Sequence, residues 1–210
     1  MMKIAVIGAS AGVGLETVNQ ALARGHQVTT LSRRIDSLPE HPALTKVQGS
    51  SLVADDVRQA IAGAEAILVT LGTGANTQPT TLYTDSAKVL LQVLGETGAT
   101  PPLIVVTGFG AGASWDYNGP VMKLLFRWLL KDVYADKSAM ERMIVNAYPR
   151  WEMVRPGRLT PGPATGRYRV IDELKLGMRV GGIARANVAH FLVAQAENPD
   201  RLGTYPALSN

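Results

Sequence analysis

The stretch "AVIGASAGVGLETV", residues 5–18, decides how the rest of the chain is read. A continuous apolar run ends at Ile7 and gives way to Gly8, Gly12 and Gly14, spaced G-x-x-x-G-x-G. Beyond them Leu15, Val18 and Leu22 recur at helical spacing, and Gly25 supplies a stop. The stretch therefore reads as a strand handing over to a helix through a glycine turn. An apolar run without alternation marks a strand covered on both faces, as in a parallel sheet between helix layers.

The same pattern recurs along the chain. Residues 28–31, 67–71 and 103–107 are runs of the same kind, and 151–155 is a weaker one. Between them Val53, Val57 and Ile61 form a helical stripe closed by Gly63. Pro79 marks a helix start followed by Leu82, Val89, Leu90, Val93 and Leu94, and residues 187–196 form the last helix. This alternation predicts an α/β fold, a Rossmann-type doubly wound parallel sheet with helices on both faces. "RPGRLTPGPATGRYRV" and "GTYPALSN" read as loops and short strands beside the sheet.

Composition narrows the function. Over 210 residues, 46% hydrophobic and 18% charged, the chain has an ordinary globular mixture. A net charge of +4 favours anionic ligands, but no aromatic-basic interleaving points to nucleic acid. With no cysteine, disulfides and thiol catalysis are excluded, and His26, His41 and His190 lie too far apart for a metal-ligand spacing. "MMKIAVIG" enters a strand at once, with no apolar segment of signal-peptide or membrane-span length. The expectation is a cytoplasmic protein without stable membrane insertion.

A glycine turn between strand and helix lets the backbone approach a pyrophosphate, which the free amides and dipole of the helix start attract. Gly8, Ser10, Ala11, Gly12, Val13 and Gly14 are the residues so placed. The phosphate loop of nucleotide hydrolases does not fit, because no Lys-Ser or Lys-Thr follows Gly14. The second strand ends in "LSRR", where Ser32, Arg33 and Arg34 replace the acidic residue that meets an unphosphorylated ribose. Two guanidinium groups and a hydroxyl suit a 2′-phosphate, so NADP(H) is the expected cofactor. The plainer alternative is a pair of solvated arginines. "TLGTG" and "VTGFGAG" end later strands and place Leu71, Gly72, Thr73, Thr107 and Gly108 beside the nicotinamide half. Gly110 and Gly112 serve loop closure equally well. With no linker in sight, residues 1–210 are expected to form a single NAD(P)-binding domain. Its substrate-side loops and short C-terminal elements fall near 108–135 and 156–184.

"IAVIGASAGVGLETV", "HQVTTLSRR", "LVTLGTGANTQPTTLYTDSAKVL", "WEMVRPGRLTPGPATGRYRV", "ANVAHFL" and "GTYP" together resemble the atypical short-chain dehydrogenase/reductase group. Within it the chain is similar to the biliverdin reductase B / flavin reductase family. The resemblance implies a Rossmann-type reductase, a monomer or homodimer, using NADPH on flavins or other planar conjugated acceptors. It also implies that Ser50 and Ser51 border the adenine, and that Pro156 and Gly157 border the carboxamide. Several positions depart from the family. Ala11 stands at its middle glycine, Ser50 at its acidic residue, Gly108 at its serine and Arg158 at its histidine.

The Tyr-x-x-x-Lys pair of ordinary short-chain dehydrogenases is incomplete. Lys137 in "YADKSAME" is followed four residues later by Glu141, but the position four residues earlier is Val133. Tyr134 is one place late, which predicts a rotation of about 100° away from the expected face. Lys137 is expected to hold the nicotinamide ribose, or else to be a solvated helix lysine. Thr107, Lys137 and Arg158 are the candidate catalytic residues. In "PVMKLLFRWLLKD" the cations Lys123, Arg127 and Lys131 form a basic stripe, on a core helix, an acceptor lid or a dimer face. Trp115 and Trp128 are candidate stacking surfaces. An NADPH-dependent reductase leads this reading. A non-catalytic NADP(H)-binding redox sensor is the alternative, and a sugar-nucleotide epimerase relative is disfavoured.

Overall fold

The computed structural model describes residues 1–74, 78–117, 131–175, 178 and 180–210. Lys123, Arg127, Trp128 and the side chain of Trp115 fall outside them, so the basic stripe and the stacking surface do too.

The apolar runs form the strands β1 (Lys3–Ile7), β2 (Gln27–Ser32), β4 (Ala66–Val69), β5 (Leu103–Val106) and β6 (Trp151–Pro156). β3 (Leu44–Gln48) joins them as an edge strand that the apolar runs did not announce. Only its Val47 is buried, so the segment carries no continuous apolar signal. The tail adds β7 (Arg158–Thr160), β8 (Arg169–Ile171), β9 (Gly182–Ala184) and β10 (Ala207–Ser209). The eight-stranded sheet runs β3-β2-β1-β4-β5-β6-β10-β8, and β7 pairs with β9 in a separate ribbon. Every pairing in the large sheet is parallel except β10 with β8.

Helices cover both faces. α2 (Ala54–Ile61), α3 (Leu82–Thr97) and α4 (Lys131–Ala147) lie on the face lined by Ala5, Ile7, Ile67, Val69, Leu103 and Val105. α1 (Gly12–Ala23) and α5 (Arg185–Glu197) pack on Ile4, Val6, Leu68 and Ile104 of the other. Successive strand residues thus point into different cores, which is why the runs are continuously apolar. Ile4, Leu68 and Ile104 are fully buried, each contributing about 1.5–3 kcal/mol.

α3 begins at Leu82 rather than at Pro79. The Thr80 hydroxyl accepts the Leu82 N–H at 3.1 Å. Asp136, buried on α4, then takes the Tyr83 N–H at 2.9 Å and the Thr84 N–H at 3.2 Å. This carboxylate satisfies amides that the first helical turn leaves without partners. It also fastens α4 across the start of α3.

Candidate functional site

The carboxyl ends of β1, β4, β5 and β6 reach the same edge of the sheet, where ligands of open α/β folds collect. The glycine turn occupies the β1 end. Gly8 gives its N–H to Leu31 at 2.9 Å, and Ala9 gives its N–H to the buried Ser32 Oγ at 2.9 Å. Ser32 therefore props the turn from below by accepting this amide. Ser37 Oγ holds the Ser10 carbonyl at 2.5 Å. The amides of Ser10, Ala11, Gly12, Val13 and Gly14 have no acceptor among the described residues. A Cβ on Gly14 would sit 2.2 Å from the Gly8 carbonyl oxygen and 2.7 Å from Thr70 Oγ1. Only glycine lets α1 start so close to the strand ends. Donors without acceptors, on a turn this tight, fit a pyrophosphate.

At the end of β2, Arg33 and Arg34 are exposed and form no ion pair among the described residues. Ser50 lies across from them, its N–H bound to Asp56 Oδ2 at 2.8 Å and its Oγ accepting the Leu52 N–H at 3.2 Å. Ser51 turns inward, 2.8 Å from the Ser86 hydroxyl. Leu52 and Val53 are each 47% exposed, an apolar shelf beside Ser50.

The other half of the site lies at the β4, β5 and β6 ends. Leu71 is half-buried and packs on the core face, Gly72 is exposed, and Thr73 hydrogen-bonds the buried Tyr83. Thr107 is 3% exposed and donates its hydroxyl inward to Glu141 Oε1 at 2.7 Å. Its carbonyl accepts Lys137 Nζ at 2.6 Å. Arg155 forks onto Glu141, 3.1 Å through Nε and 2.6 Å through NH2, and stacks 4.2 Å from the Tyr205 ring centroid. Glu141 thus fixes Thr107, and Thr107 fixes Lys137. Lys137 is no solvated lysine. Its ammonium lies 5.0 Å from the Tyr83 ring centroid and 5.5 Å from that of Tyr134. Burial pushes it down to about 8, against the opposing pull of Glu141.

Tyr134 and Val133 face different sides of α4, as their one-residue offset requires, and the Tyr134 side meets the end of β5. A Cβ on Gly108 would lie 3.0 Å from the Tyr134 hydroxyl oxygen. The phenol therefore fills the space that a side chain at position 108 would take. Burial, reinforced by Tyr83, pushes it up to about 12. The signal was present in the sequence, because residues three apart on a helix are neighbours as much as residues four apart. Val133, the position the ordinary pattern would use, is buried in the core. Pro156 is buried, Gly157 half-buried and Arg158 exposed at the start of β7, without an ion pair among the described residues.

The fold and parts of the sequence are shared with known proteins. A region of 68 residues is 40% identical to a 3-beta-hydroxysteroid dehydrogenase of Mycolicibacterium neoaurum, covering 32% of this chain and 19% of that enzyme. ChuY of Escherichia coli, described as an anaerobillin reductase, superposes with a TM-score of 0.77 at 22% identity, over 99% of this chain and 96% of that one. A short-chain dehydrogenase/reductase of Veillonella parvula, solved with NADP, superposes with a TM-score of 0.82 at 16% identity, over 100% and 94%. The model of the NAD(P)H-binding family matches residues 8–199. From the glycine turn to the end of the last helix, this chain belongs to the NAD(P)H-binding family.

Proposed function

We propose that the chain is an NADPH-dependent reductase that transfers hydride to a planar conjugated acceptor, a flavin, quinone or tetrapyrrole. The observation that carries this reading is the Tyr134 phenol set against Gly108 beside Lys137, at the end of β5. Bound NADPH would supply the hydride; the chain supplies grip, orientation and a proton. The amides of residues 10–14 hold the pyrophosphate, and Arg33 and Arg34 hold the 2′-phosphate. Ser50 and Ser51, with Leu52 and Val53, border the adenine. Leu71, Gly72, Thr73, Pro156 and Gly157 flank the nicotinamide. Thr107 acts through its carbonyl, which orients Lys137. At neutral pH the phenol keeps its proton and is a donor, while Lys137 titrates near the working range and restores that proton. Arg158 faces an anionic substituent such as a flavin phosphate or a tetrapyrrole propionate.

The fold likeness to a protein described as an anaerobillin reductase supports a tetrapyrrole among these acceptors. The sensor alternative rests on the offset of Tyr134 and on the missing side chain at Gly108; the phenol lying in the space beside Gly108 favours the reductase. The test mixes the protein and NADPH with FMN, a quinone or biliverdin and follows the nicotinamide absorbance. Oxidation with one of them is expected. Tight NADPH binding with no oxidation by any would overturn the reductase reading.

A further inference from the structure

Arg185 opens α5, directly after β9 ends at Ala184. Its side chain runs back to the start of α1. A Cβ placed on Gly12 would be 3.7 Å from Arg185 Cδ and 3.8 Å from Nε. The start of α5 is fastened to α1 beside it, because Gln20 of α1 donates to the Ala186 carbonyl at 2.9 Å. The residue is half-buried and forms no ion pair among the described residues.

This placement is electrostatically costly without a ligand. A helix start carries partial positive charge, which favours carboxylates and disfavours cations. α1 has no acidic residue in its first turn and no side-chain cap. Five amides without acceptors among the described residues and the Arg185 side chain therefore meet at the start of α1. An anion at the turn resolves all of them together.

We propose that Arg185 closes over the glycine turn and clamps the pyrophosphate of the dinucleotide, opposite the amides of residues 10–14. The proposal rests on the cofactor reading of that turn and adds to it a residue from the other end of the chain. It differs from the assignment of Arg33 and Arg34 in the ligand group it engages. The pyrophosphate is common to NADPH and NADH, whereas the 2′-phosphate belongs to NADPH alone.

The test is calorimetric titration of the full chain and its R185Q and R185K variants with NADPH, NADH and adenosine 2′-monophosphate. Glutamine keeps the packing of the stem on Gly12 and removes the charge; lysine keeps the charge and loses the fork. R185Q is expected to weaken NADPH and NADH by the same factor, about tenfold or more, and to leave the monophosphate unchanged. R185K is expected to fall between R185Q and the wild type. Unchanged dinucleotide affinity in R185Q would overturn the proposal. So would an equal loss for the monophosphate, which would report a general disturbance of the site. A wild-type chain that binds neither dinucleotide would fail at the cofactor reading itself and remove the clamp with it.

Discussion

Two side chains make the residue-scale case, and each has its own experiment. Tyr134→Phe keeps the ring beside Lys137 and removes the hydroxyl that lies against Gly108. Steady-state kinetics with a reducible acceptor should show kcat reduced about 100-fold, the lower range for losing a general acid. NADPH affinity should be unchanged. A parallel loss of affinity would mean that the hydroxyl serves cofactor binding and not proton transfer. Arg33→Ala should weaken NADPH about tenfold in a fluorescence titration and leave NADH where it was, since one charge-assisted contact to the 2′-phosphate is removed. Equal losses for the two cofactors would detach Arg33 from the 2′-phosphate. The two residues differed in how far the sequence revealed them. Arg33 follows a strand whose end could be counted from its apolar run. Tyr134 depended on which helix neighbours meet, and counting only positions four apart passes over a residue three places from Lys137. The place of Thr107 at the end of β5 was legible, but the inward direction of its hydroxyl depended on Glu141, which the sequence did not pair with it.

Among the elements, those with a single unbroken signal were legible and those with a divided one were not. β1, β2, β4 and β5 are buried on both faces, so their apolar runs could not be read otherwise. β3 is half-exposed and needs only Val47 inside. β7, β8 and β9 are three residues long, too short for any periodicity to appear. The start of α3 was misread at Pro79 because its stabilising group comes from another helix. Asp136→Ala tests that group. It strips acceptors from the Tyr83 and Thr84 amides and from the Thr84 hydroxyl, 2.5 Å away. Urea denaturation should show a loss of about 2 kcal/mol, the upper range for a helix cap. A loss within a few tenths would mean that water replaces the carboxylate at no cost. Gly14→Ala strikes the α1 start more severely. With the Gly8 carbonyl 2.2 Å from the new carbon, the turn must open, so both stability and dinucleotide affinity should fall.

For the molecule as a whole, a buried carboxyl makes stability depend on pH. Glu152 on β6 is 0% exposed, and neither of its carboxylate oxygens has a hydrogen-bond partner among the described residues. Burial pushes its carboxyl up to about 8 from the usual 4.5, with Arg201 opposing and Asp200 and Asp172 adding to the rise. The folded chain therefore keeps a proton that the unfolded chain releases near 4.5, and stability is lost as pH climbs from there through about 8. Glu152→Gln carries no such proton. Melting curves at about pH 5 and about pH 8 should show wild type and variant close at the lower value and the variant clearly more stable at the higher. A gap that does not widen with pH would mean that the carboxyl is already ionised in the folded state. The position of β10 has a consequence of a different kind. Residues 207–209 fill the gap between β6 and β8, strands laid down earlier in the chain. During synthesis on the ribosome, β1 to β6 can associate as they emerge, but β8 must wait, unzipped, for the three residues that join it to β6. A nascent chain arrested before Ala207 should therefore show a flank beyond β6 that protease cuts more readily than in the full chain, because β8 gains its sheet partner only when residues 207–209 arrive.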